Sequence, residues 1–422
     1  MWSNAQDSAL QERARAVIPN GMWGHQSVAL MPESTPQFFT RAQGTRLWDA
    51  DGNEYLDFMC AYGPNLLGYQ QPEVQAAILR QMELGDTMTG PGPVAVELAE
   101  ALTGMITHAD WAIFCKSGAE ATSMALVTAR AHRGRRKILL AKGAYHGAHP
   151  WNTPRPAGTL PEDRAHLIYF DYNDLDSFAD AVKQAGDDFA GVFASPFRHD
   201  TFTDQTLPDA EYAAGVRRIC DEHDALLIVD EVRAGFRLSR DLSWAEIGVD
   251  PDLSCWGKVL GNGQPISCLL GNDKARKAAG SIFVTGSFWF SAVPMAAALE
   301  TLRLIRETDY LERIREIGTM FRQRLVQQAA EYGFGLRHTG PVTMPMVLFE
   351  DDPDYRFGYR FSDTAMRHGA WLSPYHNMFI NAAMTPGDIE RALEITAIAF
   401  DDIRRNRASV QPSAKIAALL PR

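Results

Sequence analysis

Cysteine is sparse in this sequence, and its functional spacings are missing. The five cysteines are scattered, odd in number and form no CxxC pair. That argues against a disulfide framework and against a zinc or other metal site, and points to reduced thiols. No apolar run approaches the ~20 residues of a membrane span. The opening stretch MWSNAQDSALQERARAV has no apolar core of signal-peptide type, so a cytoplasmic protein is expected. Positive charge is in deficit, with 41 Lys and Arg against 52 Asp and Glu for a net charge of −11. Nucleic acid and anionic membrane are therefore poor candidate partners. Internal repeats and low-complexity linkers are also missing. What is present is ordinary for a globular protein: 422 residues, 46% apolar and 22% charged. This is enough for a large core and two domains.

Local patterning places several elements. Ala5 to Val17 has helical spacing and stops at Pro19-Asn20-Gly21. Alternation on either side of Asp49-Ala50-Asp51-Gly52-Asn53 suggests a hairpin. Helices are expected from Pro72 to about Leu84 and from Pro93 to Ile106, the first with proline in its opening turn. Lys137 to Lys142, Gly191 to Pro196 and Ile266 to Gly271 read as strands. A long helix from Tyr310 to Tyr332, strands near Met344 to Phe349 and a last helix from Pro386 to Arg404 suggest a smaller C-terminal domain.

The chemistry concentrates between Ala225 and Pro265. Ala225 to Val229 is a short apolar run ending in Asp230 and Glu231, the pattern of a buried parallel strand with a carboxylate at its carboxyl end. Ligands of open α/β sheets sit in the crevice beyond such ends. Leu253 to Trp256 leads into Gly257-Lys258, with Gly261 and Gly263 beyond. A Lys and an Asp so placed suit pyridoxal phosphate, whose aldehyde takes a Lys amine and whose ring nitrogen needs an acid partner. Either residue alone is more often a solvated surface group. In SGAEAT, small residues precede a helix start, which suits a phosphate or equally a plain capped helix. Tyr145 and His146, beside glycines at a strand end, suit cover for a flat ring, and His146 equally suits a packed core histidine.

The strings DEVRAGFR and GVDPDLSCWGK resemble the signature of class III pyridoxal phosphate aminotransferases, and the resemblance covers nearly the whole chain. The glutamate-1-semialdehyde aminomutase-like branch is the large branch it most resembles. The family's fold is α/β, the fold type I PLP-dependent transferase (aspartate aminotransferase-like), with a large mixed-sheet domain and a smaller α+β domain. The implied division is 1–59 as an N-terminal segment shared with the small domain and the active-site mouth, 60–310 as the cofactor domain, and 311–422 as the small domain. The resemblance implies catalytic roles for Lys258 (Schiff base) and Asp230 (pyridine nitrogen). It implies cofactor contacts for Ser117, Gly118, Ala119, Tyr145, His146 and Val232, and for Ser287 towards a neighbouring subunit's phosphate. A homodimer with shared active sites is thus expected.

Departures from the family pattern bear on substrate. No Arg lies between Gly21 and Leu30, where some relatives hold a substrate carboxylate; Trp23, His25 and Gln26 stand there. Ser195 replaces a Glu common in relatives, and Trp289-Phe290 replaces a Ser-Gly pair. Trp23, Trp289, Phe290 and Tyr375 are the expected substrate residues; Trp289 and Phe290 also suit an apolar interface. The strings GPNLLGY, PWNTP, SFWFSAVPMAAA and PYHNMF resemble a narrower group of bacterial aminotransferases acting on aminopentols from hydrolysed fumonisin. The expected reaction moves an amino group from a long or bulky amine donor to a keto acid acceptor such as pyruvate. Arg198, Arg233 and Arg237 are equal candidates for the acceptor carboxylate. Two other readings stay open: an aminomutase that moves the amine within one molecule, and a non-catalytic cofactor-binding protein.

Overall fold

Strand β8 (Leu226–Asp230) is buried at all five positions and lies in the interior of a seven-stranded sheet. The computed structural model describes residues 2–417. Before the sheet come helix α1 (Ala5–Val17) and a meander of β1 (Phe39–Gln43), β2 (Arg46–Asp49) and β3 (Glu54–Asp57), paired antiparallel. The expected hairpin is the second turn of this meander. It is closed by the Asp49 carboxylate, which accepts the N–H groups of Asp51 and Asn53 at 3.0 and 2.8 Å. Helix α2 (Pro72–Leu84) starts on proline, where no N–H is needed, and the Gln71 side chain accepts from the Val74 N–H. Helix α3 (Val94–Thr103) is shorter than expected and stops at Gly104.

The large sheet follows in chain order as β4 (Trp111–Cys115), helix α4 (Gly118–Arg133), β5 (Lys137–Ala141), β6 (Leu167–Phe170), helix α5 (Leu175–Ala185), β7 (Phe189–Ala194), helix α6 (Ala210–Glu222), β8, β9 (Leu253–Trp256) and β10 (Ser267–Gly271). Its spatial order is β4-β10-β9-β8-β7-β5-β6. Strands β5 to β9 pair in parallel, whereas β10 runs antiparallel to both β4 and β9. It follows that β4 points the same way as the parallel strands. The carboxyl ends of β4, β5, β7, β8 and β9 therefore open on one edge of the sheet.

Both faces of this sheet are covered, which is why its strands read as continuous apolar runs. Leu226 and Ile228 pack into one apolar cluster, and the intervening Leu227 and Val229 into the other. Residue 191 is glycine because a Cβ there would lie 2.6 Å from the Leu226 carbonyl oxygen on the neighbouring strand.

The chain then forms α7 (Asp273–Ala279), α8 (Ala292–Glu307), α9 (Tyr310–Glu331), the hairpin β11 (Leu336–Thr339) and β12 (Met346–Phe349), α10 (Arg356–Arg367), β13 (Ala370–Trp371) and α11 (Pro386–Arg405). Strand β13 pairs in parallel with β3, so the N-terminal meander shares a sheet with a strand from the other end of the chain. Helix α11 begins in a reciprocal cap between Thr385 and Asp388. Among the described residues no helix is long and apolar enough to cross a membrane, and no cluster of His, Cys, Asp or Glu has metal-site geometry.

Candidate active site

Asp230 ends β8 with its side chain almost wholly buried. Its Oδ2 lies 2.7 Å from Nδ1 of His146, and its Oδ1 accepts the Val232 N–H at 3.1 Å. A carboxylate accepts, so the His146 proton is on Nδ1; Nε2 is buried and without a protein partner. His146 is thus the packed, hydrogen-bonded histidine of one sequence reading, and its bond is to Asp230. The loop that carries it is tied to α4, because Thr122 Oγ1 donates to the His146 carbonyl at 2.6 Å. At Gly147, whose φ is +114°, a Cβ would lie 2.8 Å from Ala119. Tyr145, one residue earlier, is 38% exposed.

Lys258 follows β9 and Gly257. A Cβ at Gly257 would lie 2.5 Å from Ser267 Oγ, so the strand end fits only glycine. Lys258 has φ +41°, a left-handed conformation uncommon outside glycine. Its Nζ donates to the Tyr62 carbonyl at 2.8 Å. Burial pushes the amine down from its ordinary 10.5 to about 7, and the positive charges of Arg233 and Arg237 add to this. The Tyr62 carbonyl is presented by an unusual turn: Cys60, Ala61 and Tyr62 have φ of +48°, +55° and +63°, and Gly63 has +112°. The Asp57 carboxylate anchors that turn by accepting the N–H groups of Met59 and Cys60 at 2.7 and 2.9 Å.

The start of α4 lies beside these strand ends. A Cβ at Gly118 would meet Val232 Cγ1 at 2.6 Å, so Val232 presses directly on the first helical residue. Ser117 caps the helix reciprocally with Glu120, whose Oε2 accepts the N–H groups of Lys116 and Ser117 at 2.9 and 2.8 Å. Burial pushes the Glu120 carboxyl up, but these N–H groups outweigh it and hold the group below its usual range. Gly118 and Ala119 supply N–H groups of the opening turn, which an α-helix leaves without internal partners. Trp289 Nε1 donates to Glu120 Oε1 at 3.2 Å. This indole therefore braces the α4 cap, a contact that neither sequence reading, substrate wall or apolar interface, had included.

The remaining expected residues divide. Arg237 is fully buried, with Nη1 and Nη2 donating to the carbonyls of Ile380 and Gly63 at 2.7 Å each, and so is committed to the backbone. Arg198 pairs with Asp200 at 2.8 Å. Arg233 Nη1 donates to the His199 carbonyl and to Asn377 Oδ1 at 3.0 and 3.1 Å, and its positive charge helps push the Lys258 amine down. Tyr375 stacks on Phe202 at 4.6 Å. Trp23 is 67% exposed, while His25, two residues on, reaches Tyr62 with ring centroids 4.7 Å apart. Ser287 is exposed on the loop before α8, among the exposed Phe283, Phe288 and Phe290.

The sequence reading had not singled out Asp57, Tyr62 or His199, and of the stretch Pro374-Tyr375-His376-Asn377, which resembles the family's substrate-side loop, it had chosen Tyr375 alone. Two cavities of about 500 and 450 Å³ lie elsewhere, one under residues 406–415 and one beside Arg237. Neither is lined by Lys258 or Asp230, so the site rests on its chemistry and its place at the strand ends.

These residues fit pyridoxal phosphate. The amine near neutrality, the buried carboxylate and the unpartnered N–H groups at the start of α4 match an aldehyde, a ring nitrogen and a phosphate respectively. Comparison with known proteins agrees. The profile of the family described as aminotransferase class-III matches residues 29–386. The chain is 57% identical to an aminopentol aminotransferase of Sphingopyxis macrogoltabida, over 98% of each chain. It is 32% identical to a glutamate-1-semialdehyde 2,1-aminomutase of Desulfitobacterium hafniense, covering 90% of this chain and 95% of that one. The solved FumI protein of Sphingopyxis sp. MTA144, in its PLP internal aldimine form, superposes with a TM-score of 0.96 at 57% identity, covering 96% of this chain and 98% of that one.

Proposed function

The chain belongs to the class III aminotransferases, PLP-dependent enzymes of fold type I, and we propose that within that family it moves an amino group from a long-chain aminopolyol to a keto acid such as pyruvate. The donor reading is supported by the 57% identity, spread over the whole chain, to an enzyme named for aminopentol. The observation that carries the two-substrate reading is the arginine inventory. Arg237 is committed to backbone carbonyls and Arg198 is paired with Asp200, whereas Arg233, among the described residues, bonds through Nη1 alone and its charge acts on the Lys258 amine, so we assign it the acceptor's carboxylate.

The residues divide the work as follows. The N–H groups of Gly118 and Ala119, with Ser117, would hold the cofactor phosphate, Asp230 its ring nitrogen, Tyr145 and Val232 its ring, and Lys258 its aldehyde carbon. When bound, the cofactor supplies an electron sink for the carbon bearing the amine. His146 keeps the Asp230 carboxylate turned outward from β8. Lys258, once free, is the base placed to take a proton from the substrate carbon and to hold it at Nζ. Its lowered pKa leaves about half of it neutral near pH 7. The Tyr62 carbonyl holds that amine in place between transfers. We further propose a homodimer, because Ser287 stands among exposed phenylalanines that a second copy would cover.

A panel of amines tested with pyruvate decides between these readings. Long-chain aminopolyols are expected to exceed glutamate and glutamate semialdehyde in kcat/KM, with turnover dependent on added keto acid. Conversion of glutamate semialdehyde without any acceptor would replace the proposal with the aminomutase reading.

A further inference from the structure

Resting on the aminopolyol reading, we propose that His376 recognises a hydroxyl on the carbon adjacent to the one that bears the donor's amine, accepting its hydrogen at Nε2. The tautomer follows from the geometry. Nδ1 of His376 lies 2.6 Å from the Asn377 carbonyl oxygen, which has no hydrogen to give. Nδ1 therefore carries the proton and Nε2 the lone pair. No described residue makes a hydrogen bond to Nε2.

The ring is held in place. Its backbone N–H donates to Ser373 Oγ at 2.9 Å. It meets Tyr62 edge-on, with centroids 5.5 Å apart and planes at 89°, and lies 6.2 Å from Phe379. Tyr62, whose ring His376 meets, is also the residue whose carbonyl takes the Lys258 amine, which places the imidazole and the amine on two sides of one residue. His25 flanks the same tyrosine at 4.7 Å. Burial, with Arg233, Lys258 and His25 nearby, keeps His376 well below its ordinary pKa, so the lone pair persists at neutral pH.

This chemistry selects. A neutral acceptor repels a carboxylate oxygen and gives nothing to a methylene, whereas a hydroxyl satisfies it. A site arranged for such a bond penalises the analogue that lacks it, because the acceptor is then desolvated without a partner.

The test compares two donors of equal chain length, a 2-amino-3-hydroxyalkane and the 2-aminoalkane without the hydroxyl, at fixed pyruvate. Wild type is expected to favour the hydroxylated donor in kcat/KM, and His376→Phe to lower that ratio at least tenfold. His376→Gln, which keeps an acceptor oxygen, should retain more of it. If His376→Phe does not fold, the smaller His376→Leu carries the same expectation. A variant with the wild-type ratio, or a wild type that turns over both donors without preference, overturns the inference and leaves the aminopolyol reading standing. A wild type that turns over neither long-chain donor overturns the reading and the inference together.

Discussion

The Lys258 amine donates to the Tyr62 carbonyl at 2.8 Å, and both residues are non-glycine positions with left-handed φ. Backbone of this kind costs roughly 1–3 kcal/mol per residue and persists where the surroundings enforce it. Here the enforcement is visible, since the Asp57 carboxylate grips the turn at Met59 and Cys60. Asp57→Asn is therefore expected to lower both the melting temperature and the rate of transamination, measured by calorimetry and by steady-state kinetics. A variant that melts lower yet turns over normally would detach the turn from the amine.

Lys258→Met should abolish transamination without loss of the fold. The folded amine titrates near 7 and the unfolded one near 10.5, so the unfolded chain binds more protons between those values. Wild-type apoprotein thus carries its full penalty below about pH 7 and sheds it as the pH rises to 10.5. The variant should melt above wild-type apoprotein at pH 6, with the gap closing by pH 10. A gap independent of pH would contradict an amine titrating near 7.

The same amine can be read directly. Competitive acetylation of apoprotein, followed by peptide mass spectrometry, should give a midpoint for Lys258 near pH 7. Removing the positive charge in Arg233→Gln should move that midpoint upward. It should also raise KM for the keto acid by about tenfold or more, as expected for loss of a charge-assisted bond. An unchanged acceptor KM would exclude Arg233 as the carboxylate site.

Trp289→Phe removes the indole N–H that braces Glu120. A lost bond of about 1 kcal/mol corresponds to a several-fold weaker hold on the cofactor. That is measurable by dialysis and fluorescence, with little change in the ranking of amine donors. A selective loss of long-chain donors would place Trp289 in the substrate channel, one of the two roles its sequence context allows.

If Ser287 completes the partner's site, mixing inactive Lys258→Ala with inactive Ser287→Asp subunits should restore activity through sites wild-type at both positions. Failure to complement, with mixed dimers demonstrated by mass spectrometry, would place Ser287 outside the site.

Much of this site is written locally. Leu226–Asp230 and Leu253–Trp256 are apolar runs with chemistry at their ends, and the cap at Ser117 needs only Glu120, three residues on. What stayed hidden depends on contacts distant in sequence. Nothing in Cys60-Ala61-Tyr62 announces left-handed backbone, and Tyr62 meets Lys258 only in the fold. His199 and Asn377 gain meaning through Arg233, which draws their two loops together. Helix α10 gave no start signal because its N-cap, Tyr355, is left-handed and offers no side-chain cap. Arginine chemistry was equally opaque: Arg233 and Arg237 lie four residues apart, yet one bonds through a single nitrogen to two loops and the other commits two nitrogens to backbone carbonyls.

The antiparallel strand β10 has a consequence for how the protein is made. Strand β4 has β10 as its one neighbour in the sheet, so it cannot dock until the ribosome has delivered residues 267–271. The start of α4 follows directly from β4, so the helix end proposed for the phosphate is fixed only after the strands carrying Asp230 and Lys258 have emerged. Pairings this far apart in sequence form slowly and leave edges exposed meanwhile. A nascent chain stalled before residue 267 should leave β4 open to protease, and one stalled well beyond residue 271 should protect it.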